Sequence, residues 1–172
     1  MIRHLKIMNK AIFIMALFFT LSLSFTVHAE CSDKPSPGVD WTRCYLDKRQ
    51  FVNSNLKEAK LRGAYLARSD FSNANLSDID GRLAKFVNSI LVNARLDNAR
   101  LVGADFTSSN LKGTSFRGAD LRRAGFFRAD LEGADFTDAI LGGTDFLKAN
   151  LSGATWIDGV TICPMGSIGQ CN

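Results

Sequence analysis

Four cysteines, Cys31, Cys44, Cys163 and Cys171, are the residues of this 172-residue chain best suited to covalent or metal chemistry. Cysteines form disulfides in oxidising compartments or bind zinc as thiolates. The two pairs near the chain ends are separated by 13 and 8 residues, which is wider than the spacing in zinc knuckles, although zinc is the alternative. Of three possible connectivities, these positions favour Cys31–Cys44 and Cys163–Cys171.

The residue types that usually carry catalysis are sparse. Both histidines, His4 and His28, fall in the first 29 residues, which have the pattern of a removable leader. The serines of the remaining chain therefore lack a histidine partner, and no glycine-rich phosphate loop precedes a helical pattern. We predict no catalytic residue, no metal site and no cofactor, and therefore a protein that is not an enzyme.

The N-terminal segment is typical of a secretory signal peptide. Three basic residues precede an apolar run from 11 to 27 that ends in small residues at Ala29. We expect cleavage there, no transmembrane segment afterwards, and a periplasmic or secreted protein; a retained anchor is the alternative. Without residues 1–29 the chain keeps 18 basic and 17 acidic residues, so its net charge falls from +4 to +1.

The rest of the chain repeats every five residues, a period that neither a helix nor a flat strand has. Counting in fives from Phe51 to Trp156 gives 22 positions, which hold 12 Leu, 8 Phe, Trp156 and Gly81. A second series, two residues earlier in each pentad, holds 14 Ala, 4 Ser, 2 Thr, Arg49 and Ile79. We expect both series to face inward and the other three residues of each pentad to face water.

A helix cannot bury this pattern, because a five-residue step would rotate the apolar stripe by about 140° each time. The chain must instead turn a corner at every pentad. Like residues recur at every fourth pentad, as in the core stack Phe86, Phe106, Phe126 and Phe146. The spacing predicts an all-β square coil of 20 residues per turn, with about five and a half coils stacked like the strands of a sheet.

The motifs "ANL", "ADF", "ADL" and "GADF" in unbroken register resemble the pentapeptide repeat family. The resemblance implies a right-handed quadrilateral β-helix. We therefore divide the chain into a signal peptide (1–29), an N-terminal cap (30–45), a solenoid (46–160) and a C-terminal cap (161–172). Each cap is expected to be stapled by one disulfide, because open ends of a stacked coil recruit other chains.

One pentad departs from the repeat. Gly81 leaves a large position empty, whereas Ile79 fills the neighbouring small position. We expect these two residues to exchange core volume locally, with a bulge or irregular turn near residues 80–83. A functional kink is the alternative.

A square coil allows the outward charges to be sorted by face. We number the four faces in chain order. Faces 1, 2, 3 and 4 are centred on Leu61, Leu66, Phe71 and Leu76, respectively, and each face also contains the residues 20, 40 and more positions away from its centre. Between residues 57 and 158, faces 1 and 2 (the basic faces) carry ten cations and four acids, and faces 3 and 4 (the acidic faces) carry four cations and nine acids. The ten cations are Lys60, Arg62, Arg68, Arg82, Lys85, Arg100, Arg122, Arg123, Arg128 and Lys148.

These patterns predict an exported binding or scaffolding protein that docks an acidic partner on its basic faces. Anionic lipid headgroups, an acidic polysaccharide or an acidic protein would fit such faces; a solvated surface without a partner is the alternative. The family resemblance also offers DNA mimicry that binds DNA gyrase, but the export signal and the near-neutral mature charge argue against it. We expect no nucleic-acid partner and a monomer or weak dimer.

Overall fold

A computed structural model describes residues 31–171, so the expected signal peptide, 1–29, lies outside the described residues. Each pentad supplies one bridge residue and one two-residue corner. Parallel bridges join residues 20 apart, from Asp40↔Lys60 to Asp135↔Thr155, and build four ladders around a square coil. Between 31 and 171 the chain forms no helix, hence none able to cross a membrane, and no strand longer than one bridge residue.

The corners require a left-handed backbone at one position of every pentad. From Arg43 to Gly153, the second residue after each large one has a positive φ. Seven of these residues are glycines and sixteen are not. Glycine and asparagine adopt this conformation at little cost, but Leu83, at φ 61°, does not. The ladder, rather than local propensity, therefore imposes the corner.

Backbone hydrogen bonds clamp each pentad to the coils on either side. Asp105 N donates to Ala84 O in the preceding coil at 2.9 Å, and Phe106 N donates to Gly125 O in the following coil at 2.7 Å. The residue before the large one often closes the corner as well: the Asp105 carboxylate accepts a bond from Thr107 N at 3.0 Å. Aspartate and asparagine recur at this position because their short side chains accept such bonds.

Buried phenylalanine rings stack along the core. Phe86, Phe106 and Phe126 have centroids 4.9 and 5.0 Å apart and interplanar angles of 5° and 4°. Phe146 continues the column at 5.3 Å. Phe116 on face 4 meets Phe106 edge-on at 6.0 Å, a favourable geometry for aromatic pairs. The two phenylalanine columns thus interlock across the coil.

The register passes through Gly81 without interruption, so the expected irregular turn is wrong. Gly81 N donates to Arg100 O at 2.9 Å, and Asp80 keeps both of its bridges. The expected exchange of volume is present, because Ile79 is fully buried and a Cβ added at Gly81 would lie 2.8 Å from Leu101 Cδ2 and 3.3 Å from Ile79 Cδ1. Ile79 and Leu101 together fill the space that a large residue would take, so the ladder has no reason to bulge.

The coil register begins upstream of residue 46. Asp40 forms the first parallel bridge, and Val39 and Trp41 occupy a small and a large position in the core. A disulfide joins Cys31 to Cys44, as predicted. The segment that precedes the solenoid is thereby held against its first coil.

A non-repeating tail closes part of the other end. It makes antiparallel bridges Thr155↔Ile162 and Asn150↔Ile168, and the predicted Cys163–Cys171 disulfide closes it. Both bridges lie on the acidic faces. The tail therefore covers two adjacent sides of the last coil.

Candidate binding faces

Face 1 carries a column of bridge residues in which the sign of the charge alternates. From the N-terminal end the column reads Asp40, Lys60, Asp80, Arg100, Asp120 and Ile140. A neighbouring column, two residues later in each pentad, reads Arg62, Arg82, Val102 and Arg122. Because the second column has only positive charges, face 1 is net positive.

Two aspartates of face 1 bind the arginine two residues later. Arg122 donates to Asp120 from Nε at 2.8 Å and from Nη2 at 2.6 Å. Arg82 donates to Asp80 through the same two nitrogens. The arginine hydrogen bonds lower the pKa of Asp80 and Asp120, and the aspartates raise the pKa of Arg82 and Arg122. Both pairs are therefore charged, and they cancel locally.

Ion pairs divide the ten cations of the basic faces into two equal sets. Lys60, Arg68 and Lys85 bind aspartates at distances of 3.1 to 3.4 Å and join Arg82 and Arg122 as the paired set. Of these ten cations, Arg62, Arg100, Arg123, Arg128 and Lys148 form no ion pair with any of residues 31–171. These five supply the uncompensated charge, since exposed ion pairs leave little net field.

An aromatic ring positions two of the unpaired cations. The Arg128 guanidinium lies 5.0 Å from the centroid of the half-buried Phe127 ring, and the Lys148 ammonium lies 5.8 Å from it. Such contacts attract a cation without neutralising it. Both charges are thereby held on face 2 and stay available to a partner.

An open depression between faces 4 and 1 brings three arginines together. Its lining residues are Arg82, Asn98, Arg100, Val102, Gly118, Asp120 and Arg122. Arg100 lies one coil above Arg82 and one coil below Arg122 and forms no ion pair with the described residues. The depression suits an anionic group on a larger partner, since an enclosed pocket would be needed to bury a small molecule.

The acidic faces are more nearly neutral than their composition suggests. Their cations, Lys57, Arg95, Lys112 and Arg117, all form ion pairs. Six of the nine carboxylates are partners in these pairs, which leaves Asp70, Asp138 and Asp158 without one among residues 31–171. The charge asymmetry of the molecule therefore comes mainly from its basic faces.

A tyrosine pair on face 2 was not predicted from the sequence. Tyr45 and Tyr65 stack with centroids 4.4 Å apart and planes 7° apart, and Tyr45 is 71% exposed. The rings border an open groove with Arg43, Leu83 and Lys85. The 20-residue separation of the tyrosines is the signal that could have revealed the pair.

The carboxylates of the described residues are spread over the walls of the coil. Between 31 and 171, no three His, Cys, Asp or Glu side chains are placed to bind a metal ion. Several carboxylates are instead committed to their own corners, as Asp105, Asp120 and Asp145 are. The arrangement offers surfaces for binding.

The comparison with protein families agrees with this architecture. The model for pentapeptide repeats matches residues 50–80, 89–126 and 129–155 in eight copies. No curated protein sequence matches the chain. One similar solved structure is a pentapeptide repeat protein from the Arabidopsis thaliana thylakoid lumen, with 26% identity over 55% of this chain and 69% of that chain and a TM-score of 0.36.

Two further structures were found. The plasmid-mediated fluoroquinolone resistance protein QnrB1 has 20% identity over 65% of this chain and 62% of that chain, with a TM-score of 0.45. HetL, involved in heterocyst differentiation regulation in the cyanobacterium Nostoc sp. strain PCC 7120, has 19% identity over 75% of this chain and 94% of that chain, with a TM-score of 0.28. Since the repeat model matches more than half of the residues, the chain belongs to the pentapeptide repeat family, and its coil is the right-handed β-helix of that family.

Proposed function

We propose that this protein is an exported, non-enzymatic binding protein that docks an anionic surface on its basic faces. The observation that carries the proposal is that five of the ten cations between residues 57 and 158 on faces 1 and 2 have no carboxylate partner. By contrast, Asp145 is the one acidic residue of those two faces that forms no ion pair among residues 31–171. Charge of one sign on a regular wall attracts a partner of the opposite sign and raises its association rate.

The ladder supports docking because it fixes where the charges lie. Bridge residues of successive coils are about 4.8 Å apart, the spacing of strands in a sheet. Arg62 and Arg100 therefore lie in neighbouring columns at fixed heights, and Arg82 and Arg122 lie two coils apart in one column. A partner with several anionic groups can engage such an array at once, so acidic polysaccharides and anionic lipid surfaces are the substances to test.

Export is supported by two features of the chain. Residues 11–27 form the apolar run of a signal peptide. Both pairs of cysteines are disulfide-bonded, which is usual in oxidising compartments and rare in the cytosol. Mass spectrometry of the native protein should find a mature N-terminus near residue 30 and no free thiol. A cytoplasmic chain that keeps residue 1 and has free thiols would contradict export.

The docking test compares two triple variants with the same change in net charge. Arg62→Glu, Arg100→Glu and Arg123→Glu change unpaired cations on face 1. Lys57→Glu, Arg95→Glu and Arg117→Glu, on face 4, are the matched control. Binding is measured at several salt concentrations on a sulfated polysaccharide resin and on vesicles that contain an anionic phospholipid.

We expect salt-sensitive binding by the wild type, a loss of about tenfold or more in the face 1 variant, and much less loss in the control. An equal loss of binding in both variants would mean that net charge alone, rather than the position of the cations, causes binding. No binding by the wild type to either anionic matrix would refute the docking function. We do not propose gyrase binding, because ion pairs break up the negative surface of faces 3 and 4.

A further inference from the structure

The C-terminal end of the coil is covered on only two of its four sides. On faces 3 and 4, Leu151 N donates to Ser167 O at 2.8 Å and Trp156 N donates to Thr161 O at 2.7 Å. On faces 1 and 2, no described residue makes the equivalent hydrogen bonds, although the tail passes beside Lys148 N at Gly169. The backbone N–H groups that therefore have no hydrogen-bond acceptor among residues 31–171 are those of Leu141, Gly143, Phe146 and Lys148.

The coil below shows what is missing at this end. Leu121 N donates to Ile140 O at 3.0 Å, and Phe126 N donates to Asp145 O at 2.7 Å. The carbonyls of Ala139 and Thr144 likewise accept no backbone bond from another described residue. The open sides are thus an unprotected sheet edge, a surface that pairs readily with another chain.

Exposed apolar side chains are concentrated at the same end. Of twelve large hydrophobic side chains exposed between residues 31 and 171, seven belong to this end. They are Ile140, Leu147, Ile157, Val160, Ile162, Met165 and Ile168. The sequence from 159 to 172 also has no Asp, Glu, Lys or Arg. A surface with few charged residues and several exposed apolar side chains is typical of the centre of a protein interface.

The end has the shape of a step that is complementary to itself. The tail adds one layer, about 4.8 Å high, on two adjacent sides of the square and leaves the other two sides lower. A two-fold axis along one diagonal of the square would exchange face 1 with face 4 and face 2 with face 3. Each copy would then place its raised tail above the lower half of the other copy, which is an isologous contact.

We propose that two copies of this chain dock end to end through this step. The second copy's tail would supply the outer strand edge that faces 1 and 2 lack, and its apolar side chains would cover Leu141 and Phe146, which are only partly buried in the single chain. At the other end of the coil the large core residues Trp41, Leu46 and Phe51 are buried, and the Cys31–Cys44 disulfide holds residues 31–38 near them. Because the proposed contact uses the same surface on both copies, it closes at two copies.

The size of the end predicts a weak association. A coil about 20 Å wide, side chains included, buries about 400 Å² per copy and about 800 Å² in total, which is below the range of stable specific interfaces and within that of weak, transient ones. We expect a reversible dimer whose population depends on concentration. The basic faces lie on the walls of the coil and would stay accessible in the dimer.

The first test is analytical ultracentrifugation of the chain from residue 30, from micromolar to millimolar concentration. Ile162→Lys with Met165→Lys places two charges on the tail. Tyr45→Lys with Val52→Lys is the matched control, since it places two charges on exposed apolar positions near the other end. Unchanged circular dichroism and melting temperature verify that each variant folds.

We expect a dimer in the wild type and in the control, and at least about tenfold weaker association in the tail variant. A wild type that is monomeric throughout, an equal loss in the control, or assembly beyond two copies would each overturn the proposal.

Amide hydrogen exchange then locates the contact. The amides of Leu141, Gly143, Phe146 and Lys148 should exchange rapidly in dilute protein and become protected as the dimer forms. The amides of Leu121 and Phe126 are protected at all concentrations because they are bonded within the chain. If a dimer forms while the four end amides keep exchanging rapidly, the contact lies elsewhere and the step is not the interface.

Discussion

The guanidinium of Arg122 donates to both carboxylate oxygens of Asp120, over distances of 2.8 and 2.6 Å. The same carboxylate accepts a third bond from the backbone N–H of Arg122 at 3.3 Å. Asp80 and Arg82 form the same arrangement two coils below. Each aspartate thus closes a corner and pairs a surface arginine, so the charge of face 1 is coupled to the stability of the fold.

This coupling predicts the direction of the pH dependence. Hydrogen bonds from Arg82 and Arg122 lower the pKa of Asp80 and Asp120 below 3.8. A lowered folded-state pKa gives stability that is complete above the unfolded-state value of about 3.9 and is lost as the pH falls through the folded-state value. We expect the melting temperature to be nearly constant from about pH 5 to 7 and to fall below pH 3.8.

A variant isolates this contribution. Asp120→Asn keeps a corner acceptor but loses the ion pair, so it should lower the melting temperature at neutral pH and reduce the fall in acid. Asp145→Asn is the matched control, because Asp145 accepts the corner bond from Leu147 N at 2.9 Å without an arginine partner. Equal destabilisation at neutral pH would show that the arginine pair contributes nothing.

Reduction of the disulfides should loosen the ends of the coil before its middle. Bridges that close loops of 13 and 8 residues each stabilise the protein by about 2–3 kcal/mol in the chain-entropy account. We expect a lower melting temperature in reductant, and faster amide exchange at Leu151 and Gly153, which donate to the tail. Phe106, in the middle of the coil, should keep its protection. A melting temperature that is insensitive to reductant would contradict the capping role.

Ile79 and Gly81 should be coupled energetically. Gly81→Leu adds a side chain where a Cβ alone would lie 2.8 Å from Leu101 Cδ2, so we expect a cost of about 1–3 kcal/mol. Ile79→Ala empties a buried position at a cost of about 2–4 kcal/mol. The double variant restores the regular pentad and should cost less than the sum of the two. Urea unfolding measures the cycle, and additive losses would refute the exchange of volume.

The core column should be sensitive to a single truncation. Phe106 is fully buried, with rings at 4.9 and 5.0 Å on either side. Phe106→Ala should therefore lower the free energy of unfolding by about 3–5 kcal/mol. Phe127→Ala, on the half-buried surface ring, is the control and should cost much less. Urea titration compares the two variants, and similar losses would mean that the column is not the source of stability.

The square coil could be predicted from the sequence because its cause is local and repeated. Each pentad places one large and one small residue inward, and 20-residue recurrence defines the number of sides. The disulfide pairing could also be predicted, since each pair of cysteines lies near one end. The outcome at Gly81 could be predicted only in part, because whether a backbone bulges depends on how Ile79 and Leu101 pack, which is a property of neighbouring coils.

The features of the candidate surfaces that escaped prediction are those that depend on side-chain direction and on non-repeating sequence. The sequence places Arg100 and Arg122 on one face, but it does not show that Asp120 pairs with one of them and leaves the other free. The tail lacks the repeat, so nothing in its sequence specifies which two sides of the last coil it covers. Trp41 continues the register outside any recognisable motif, and its burial depends on the coil above it.

Because the bridges join residues 20 apart, the position of a residue in the sequence determines the side of the molecule on which it lies. Inserting one pentad would turn everything downstream by a quarter of a revolution and carry basic columns under acidic ones. Inserting four pentads would lengthen the molecule by one coil and leave every downstream residue on its original side. Length and surface pattern can therefore vary independently in such a chain, provided that insertions come in complete turns.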